Sequence, residues 1–544
     1  MNLMAYNKSP GIDGFPIETY DEHWEAIGGD LLDMYKLVLE NGRLSISQRQ
    51  AIITIIPKTN NAKAIEDYRP ISLLCADYKI LAKILSERFK KVLPKVIFSK
   101  QFCCVPDRSI NHCNMELRDI IYYANDVDSD LALLNLDWYK AFDLVSIEFT
   151  LKALQRLGFG DTFVRWVSIL YNDIESSVIL NNILGNFFPV TRSVRQGCPM
   201  SMGLFVVYQE AFYRAMVKSR IIRPLRMPDA TRTLLLGYAD DTTILINSDE
   251  SLIEVGRIIE NFEKATGAIL NRNNKSKIFG TGKWKERKQW PLTWLKIETN
   301  YFFTLGVYHS HNYDSGVEKI YSVCVKAIKT HRQMLNSRKL TLYQRSVYAN
   351  SCMLSKIWYL SHVYPLTMYF AKEINKTIFP YIWNGNYEPV SRVTLFRPKS
   401  EGGLGILNCY IQSKVILFNS FIRCNIINDE YHNSLMLYYC YMRMNNILEM
   451  DYSVHHAALS TTPYYQLIYT MTQNILHLPD FPAISNKKLY RFLIPTEPTY
   501  AESQYPTFNW KRIWDNFKST VFNPYDKEII FKHLHLCLAT VRGI

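Results

Sequence analysis

The stretch GYADDTTIL, Gly237–Leu245, sets two aspartates side by side between apolar flanks, TLLLGYA before them and TTILI after. Flanks this apolar belong in a core, where unpaired carboxylates are costly. The conflict resolves if Leu234–Tyr238 and Thr242–Ile246 are two strands and Ala239–Asp241 is the corner of a tight hairpin. Asp240 and Asp241 then project from the end of a sheet instead of into its interior. Carboxylates gathered there repel one another unless a cation neutralises them, and Mg²⁺ takes one or two carboxylates together with phosphate oxygens and water. A third acid is expected at the end of another apolar strand. Leu131–Asp137, LALLNLD, is too short a run for a helix and ends on Asp137. Asp137, Asp240 and Asp241 on neighbouring strand ends can hold two Mg²⁺ ions, with Mn²⁺ as a substitute. One ion activates an attacking hydroxyl and the other steadies the leaving oxygens of an in-line phosphoryl displacement. Nucleotidyl transfer is the chemistry that such a trio suits.

The rest of the chain is compatible with a nucleic-acid partner. The formal net charge is +13, with Lys and Arg spread along the 544 residues, which suits a polyanion gripped over a long path. The length predicts three or four subdomains. Eleven cysteines without a CxxC pair argue against structural zinc and against a disulfide framework, and predict an intracellular protein with reduced thiols. The N-terminus MNLMAYNKSPGIDG has no apolar signal core, and no run of about 18 apolar residues is long enough to span a membrane.

Periodicity and punctuation predict a helix around Asp30–Leu39, a strand at Ala51–Ile56, and an amphipathic helix over Ile71–Leu93 closed by Pro94. Further helices are expected at Phe149–Leu157 and Phe163–Tyr171. Ser251 with Glu254 forms a capping-box pattern opening a helix that Gly267 closes. From about Lys319 the pattern is helical, with a break at Arg397–Leu404, RPKSEGGL.

Several segments together resemble the polymerase of non-LTR (LINE-type) retrotransposons. DWYKAF, from Asp137, resembles the first palm motif of reverse transcriptases, RQGCPMS (Arg195–Ser201) the second, and YADD (Tyr238–Asp241) the third. SPGIDGFP, YRPISLLCADYKILAKIL and EGGLGILN narrow the match, which covers about residues 8 to 425. The resemblance implies a right-hand polymerase of α+β class, with an antiparallel-sheet palm and mainly helical fingers and thumb. The expected divisions are an N-terminal extension and fingers at 1–125, palm at 126–310, thumb at 311–430, and a helical C-terminal region of unknown role at 431–544.

The same resemblance implies roles. Asp137, Asp240 and Asp241 would be the metal ligands. Phe142 would gate the sugar, its ring excluding a 2′-hydroxyl. Gln196 and Gly197 would line the nascent base pair, where glycine lets the backbone come close. Lys58 and Arg69 would clamp the triphosphate, for which a bidentate guanidinium is suited. Lys275 would protonate the departing pyrophosphate, a general-acid role; the spacing of NRNNKSKIF is one residue off, and Lys277 is the rival. FFTLGVY, Phe302–Tyr308, would grip the primer and Lys319–Phe379 would form the thumb. The implied partners are an RNA template, a DNA primer and dNTPs, with no membrane.

The chain also departs from that pattern. In CCVPDR, Cys103 and Asp107 stand where glycines are usual and Cys104 where phenylalanine is; Met202-Gly203 replaces Pro-Leu after RQGCP. His533, His535 and Cys537 lack a knuckle spacing and read as ordinary helix residues. The chain begins just before SPGIDG, so it is expected to be the polymerase part of a longer element product, without the endonuclease. A catalytically inactive RNA-binding remnant and a group II intron-type maturase are the alternatives.

Overall fold

The structure is a computed structural model that describes residues 3–58, 61–273, 275–385, 387–423, 434–448, 458, 461–478, 481, 483–495, 497–517 and 523–535. The chain forms two compact units. One comprises Met1–Cys113, Ala124–Arg226 and Arg232–Thr299, the other Asn114–Tyr123, Met227–Thr231 and Asn300–Ile544.

The first unit holds two sheets. In one, β1 (Gln50–Pro57) pairs antiparallel with β2 (Tyr68–Leu73) and, on its other side, parallel with β4 (Glu175–Leu180). The other is built from β3 (Asp130–Leu136), β5 (Leu235–Tyr238), β6 (Asp241–Ile246), β7 (Lys277–Gly282) and β8 (Lys296–Glu298), in the order β8-β7-β3-β6-β5. Its inner pairs are antiparallel and the edge pair β7–β8 is parallel. β3 is buried along its length after Asp130, which explains why its sequence is a continuous apolar run without alternation. The helices Ser201–Lys218 and Asp249–Thr266 cover this core. Trp138, Phe212 and Phe262 meet there edge to face or tilted, with ring centroids 5.3–5.5 Å apart, a geometry aromatic quadrupoles favour. The fold is α+β, as the sequence predicts.

Three boundaries differ from the sequence reading. The helix expected from Ile71 begins at Ala76 and ends at Lys90, because Tyr68–Leu73 is taken into a ladder with β1 running from Ile52↔Leu73 to Pro57↔Tyr68. Pro94 lies inside the next short helix, Leu93–Val96, in its first turn where no amide is needed. The helix assigned to a Ser251–Glu254 capping box opens earlier, at Asp249. Ser248 is its cap and accepts from the Ser251 amide at 3.1 Å, while Glu254 pairs with Arg257.

The second unit is helical apart from a hairpin, Phe302–Thr304 with Val307–His309, whose corner residues Leu305 and Gly306 both take positive φ. Long helices run over Tyr313–Asn336, Met368–Trp383 and Cys409–Ile422. At the break Arg397–Leu404, a Cβ on Gly403 would lie 1.9 Å from the Arg397 carbonyl oxygen, so EGGLGI tolerates only glycine there. His533 lies in the helix Pro524–Leu534. His535 just beyond it is buried with Nε2 2.7 Å from the Gly402 carbonyl, and Cys537 falls outside the described residues.

The core of this unit contains a charged pair. Arg118 and Asp119 are both fully buried, with Nη2 to Oδ1 at 2.7 Å. Arg118 also donates to the Val363 carbonyl at 2.6 Å and lies 3.6 Å from the Tyr464 ring centroid; the Tyr465 hydroxyl donates to Asp119. Tyr464 and Tyr465 belong to the helix Pro463–Ile475, so the C-terminal region contributes to this core.

Candidate active site

β5 and β6 form a hairpin whose register pairs Asp241 with Tyr238, leaving a two-residue corner of Ala239 and Asp240. The corner is one residue shorter than the sequence suggests, because Asp241 already belongs to the strand. Ala239 carries the positive φ, 53°, at a turn position where glycine is usual. A neighbouring segment holds it in place. The Ala239 amide donates to Gln101 Oε1 at 3.3 Å, the Phe102 amide to the Gly237 carbonyl at 2.8 Å, and the Gly237 amide to the Lys100 carbonyl at 2.9 Å. Lys100–Phe102 thereby acts as a short extra strand along the outer edge of β5.

The third acid arrives by register. β6 runs antiparallel to β3 with Thr242 opposite Leu136, and one step further along that ladder lie Asp241 and Asp137. The Asp137 backbone is fixed on both sides: its amide donates to Ser276 Oγ at 3.2 Å and its carbonyl accepts from the Asn271 amide at 2.8 Å. The Asn271 side chain donates to Asp137 Oδ2.

Burial pushes the Asp241 carboxyl up to about 6, and the charges of Asp240 and Asp137 push the same way; a hydrogen bond from Asn135 and the charge of Lys277 oppose them. Asp240 is raised by burial and by Asp137, against the pull of Arg69. Asp137, Asp240 and Asp241 therefore share one electrostatic neighbourhood, in which the charged forms of Asp240 and Asp241 are costly, and a divalent cation would relieve that cost. Three carboxylates supply hard oxygen donors of the kind Mg²⁺ prefers, so the residues fit the ion.

Among the described residues, the trio of potential ligands whose donor atoms all lie within 4.8 Å is a different one, Asp13, Cys75 and Asp77; Asp137, Asp240 and Asp241 are spread more widely. That other trio suits a cation poorly. Cys75 offers a sulfur in place of the hard oxygen that Mg²⁺ prefers, and Asp77 Oδ2 already accepts from Gln48 at 2.7 Å.

The remaining predicted residues distribute unevenly. Arg69 is exposed on β2, yet its charge reaches Asp240. Lys58 is exposed, donates to the Glu66 carbonyl at 2.6 Å, and acts electrostatically on Asp143. Phe142 is half-buried and stacks on Phe205 with centroids 4.6 Å apart and planes 12° apart. The Gln196 carbonyl accepts from the Ser72 amide at 2.7 Å, and its side chain bonds Asp143. At Gly197, with φ of 130°, a Cβ would lie 2.4 Å from the Ser72 carbonyl oxygen, so the loop can lie flat on β2 only with glycine there. Lys275 is exposed in a turn, whereas Lys277 opens β7 and is the lysine whose charge acts on Asp241. Asp107 and Cys104 both take left-handed φ, 63° and 59°. At Asp107 this is the conformation that a glycine would adopt without strain.

Sequence reasoning missed Asn135, Asn271, Asp143 and Gln101. Asp143 is the acid of YKAFD and links Gln196, Lys140 and Lys58; its place directly after Phe142 was a signal. No local pattern marks Asn135 or Gln101.

Residues 56–299 match the family of reverse transcriptases, described as RNA-dependent DNA polymerases. Residues 56–299 thus carry a reverse transcriptase domain, and the relatives that the chain resembles are retrotransposon proteins. It is 32% identical over 429 residues to the transposon TX1 uncharacterized 149 kDa protein of Xenopus laevis, covering 77% of this chain and 32% of that protein. It is 28% identical to the retrovirus-related Pol polyprotein from the type-2 retrotransposable element R2DM of Drosophila melanogaster, over 39% of this chain and 20% of that one. The chain thus spans about a third or less of the length of these two relatives. A solved structure with some likeness is the apo telomerase from Candida tropicalis, at a TM-score of 0.38 and 12% identity, covering 74% of this chain and 71% of that one.

Proposed function

We propose that the chain is an RNA-directed DNA polymerase that extends a DNA primer 3′-hydroxyl along an RNA template with dNTPs. In this reading residues 1–125 are an N-terminal extension and fingers, 126–310 the palm, 311–430 the thumb and 431–544 a helical C-terminal region of unknown role. The observation that carries this is the shared electrostatic neighbourhood of Asp137, Asp240 and Asp241 at one end of the antiparallel strands β3, β5 and β6, with Arg69 and Lys277 acting on it. Two Mg²⁺ ions, when bound, lower the barrier to hydroxyl attack and neutralise charge on the departing pyrophosphate. Asp137, Asp240 and Asp241 would hold them.

The primer 3′-hydroxyl gives its proton to water as its oxygen attacks the α-phosphorus, and the bond to the pyrophosphate oxygen breaks. Arg69 and Lys58 neutralise triphosphate charge, and a lysine, Lys277 or Lys275, returns the proton that the pyrophosphate needs. Gln196 and Gly197, docked on Ser72, set the floor of the base pair. Phe142, braced on Phe205, closes the space a 2′-hydroxyl would take.

Primer extension on an RNA template with Mg²⁺ tests this reading. The wild type should incorporate dNTPs, and Phe142→Ala should raise ribonucleotide use relative to deoxynucleotide use by roughly 10- to 100-fold. A protein that binds the primer–template but incorporates nothing in any metal is an RNA-binding remnant instead.

A further inference from the structure

The second unit contains a cavity of about 410 Å³, within the roughly 300–1,000 Å³ of sites that take small organic groups. It lies among the helix Leu342–Tyr348, the turn Lys399–Glu401 and the helices Trp510–Phe517 and Pro524–Leu534. Tyr343, Val347, Tyr348 and Phe517 give it an apolar, largely aromatic lining; Lys399 and Lys527 bring two positive charges. Tyr343 is seated firmly, its ring 5.8 Å from that of Phe517 and 6.0 Å from that of Phe531. The Lys399 ammonium lies 5.2 Å from the Tyr343 ring centroid.

Among the described residues neither lysine has a carboxylate partner. Burial and the charge of Lys527 hold the Lys399 amine below the usual lysine range. The Tyr343 hydroxyl is likewise buried without a hydrogen-bond partner. Two like charges converging unneutralised on an aromatic cavity define what would fill it. An apolar helix would leave the lysines uncompensated, and a bare anion would leave the aromatic walls uncovered. A nucleotide answers both, since every base has a π-face to lay on an aromatic ring and carries a phosphate beside it.

We propose that this cavity takes one unpaired nucleotide of a nucleic-acid strand, its base against Tyr343, Tyr348 and Phe517 and its phosphate between Lys399 and Lys527. The site is separate from the polymerase chemistry and does not depend on it, so it is tested without metal. The full chain in EDTA is titrated with a labelled single-stranded RNA, a single-stranded DNA of the same sequence, and a blunt duplex. Lys399→Gln/Lys527→Gln, at solvent-reachable side chains, should weaken single-strand binding by roughly tenfold and lower the slope of log K against log salt by about 0.7, the value for the one phosphate no longer neutralised. Duplex binding should stay as it was. Loss on RNA alone or DNA alone says which strand the cavity serves. Independently of any variant, strands carrying 4-thiouridine or 4-thiothymidine should photocrosslink to Tyr343, Tyr348 or Phe517. Unchanged affinity and salt slope, an equal loss on the duplex, or crosslinks confined to other peptides would overturn the proposal.

Discussion

Asp241→Asn should lower primer extension by on the order of 10³-fold or more while leaving the metal-free protein more stable than the wild type. The first effect follows from the role of the charge. Removing a ligand that fixes a metal at the reacting phosphoryl group forfeits several kcal/mol of transition-state stabilisation, and each 1.36 kcal/mol is tenfold in rate. The second follows from where the charge sits. Burial, Asp240 and Asp137 all disfavour the Asp241 carboxylate, so its neutral isostere removes a cost to folding. The two readouts together separate this account from simple misfolding, in which the variant would lose activity and melt lower. Asp240→Asn should behave alike, since burial and Asp137 act on it in the same direction.

Asp119→Ala should destabilise the second unit by about 3–5 kcal/mol, read as a shift of its urea midpoint. Arg118 would keep its buried charge with its carboxylate partner gone, and the Tyr465 hydroxyl would lose its acceptor. Arg118→Met/Asp119→Leu, which removes both charges at similar volume, should cost far less. The surroundings add a pH dependence. His309 is buried, with Nε2 3.3 Å from Asn114 Oδ1, and desolvation aided by the Arg118 charge lowers it to about 3 from 6.5. The unfolded chain therefore takes up this proton before the folded one does. Stability is complete above about pH 6.5 and falls as pH drops from there towards 3. His309→Gln should flatten the midpoint-against-pH curve in that window.

Much of the site was legible because its residues had to violate a local pattern. Adjacent aspartates inside an apolar run are tolerable only at a sheet end, and the hairpin is where that argument placed it. The corner is tighter than the pattern suggests by one residue, since Ala239 adopts a φ that its side chain does not advertise. The residues tuning the acids escaped because they reach them across strand register. Asn135 acts on Asp241 from the neighbouring strand, and Asn271 is 134 residues from the Asp137 it bonds. Ser248 and Ser251 compete for the same capping role at hydrogen-bonding distance from each other, and composition does not choose between them. Tyr68–Leu73 could have continued the apolar helix that follows; the free edge of β1 decided otherwise. The C-terminal region was legible as helical but not in its role, because Tyr464 and Tyr465 gain meaning only against Arg118 and Asp119 more than three hundred residues earlier.

The central claim is that Asp137 and the Asp240–Asp241 corner ligate the same ions, and iron-directed cleavage tests it most directly. Fe²⁺ replaces Mg²⁺, ascorbate and peroxide generate hydroxyl radicals at the bound metal, and the backbone cuts are mapped by mass spectrometry. The account predicts cuts flanking both Asp137 and Asp240–Asp241, suppressed by excess Mg²⁺ and absent in Asp241→Asn. Cuts at only one of the two places, or around Asp13 and Asp77 instead, would contradict it.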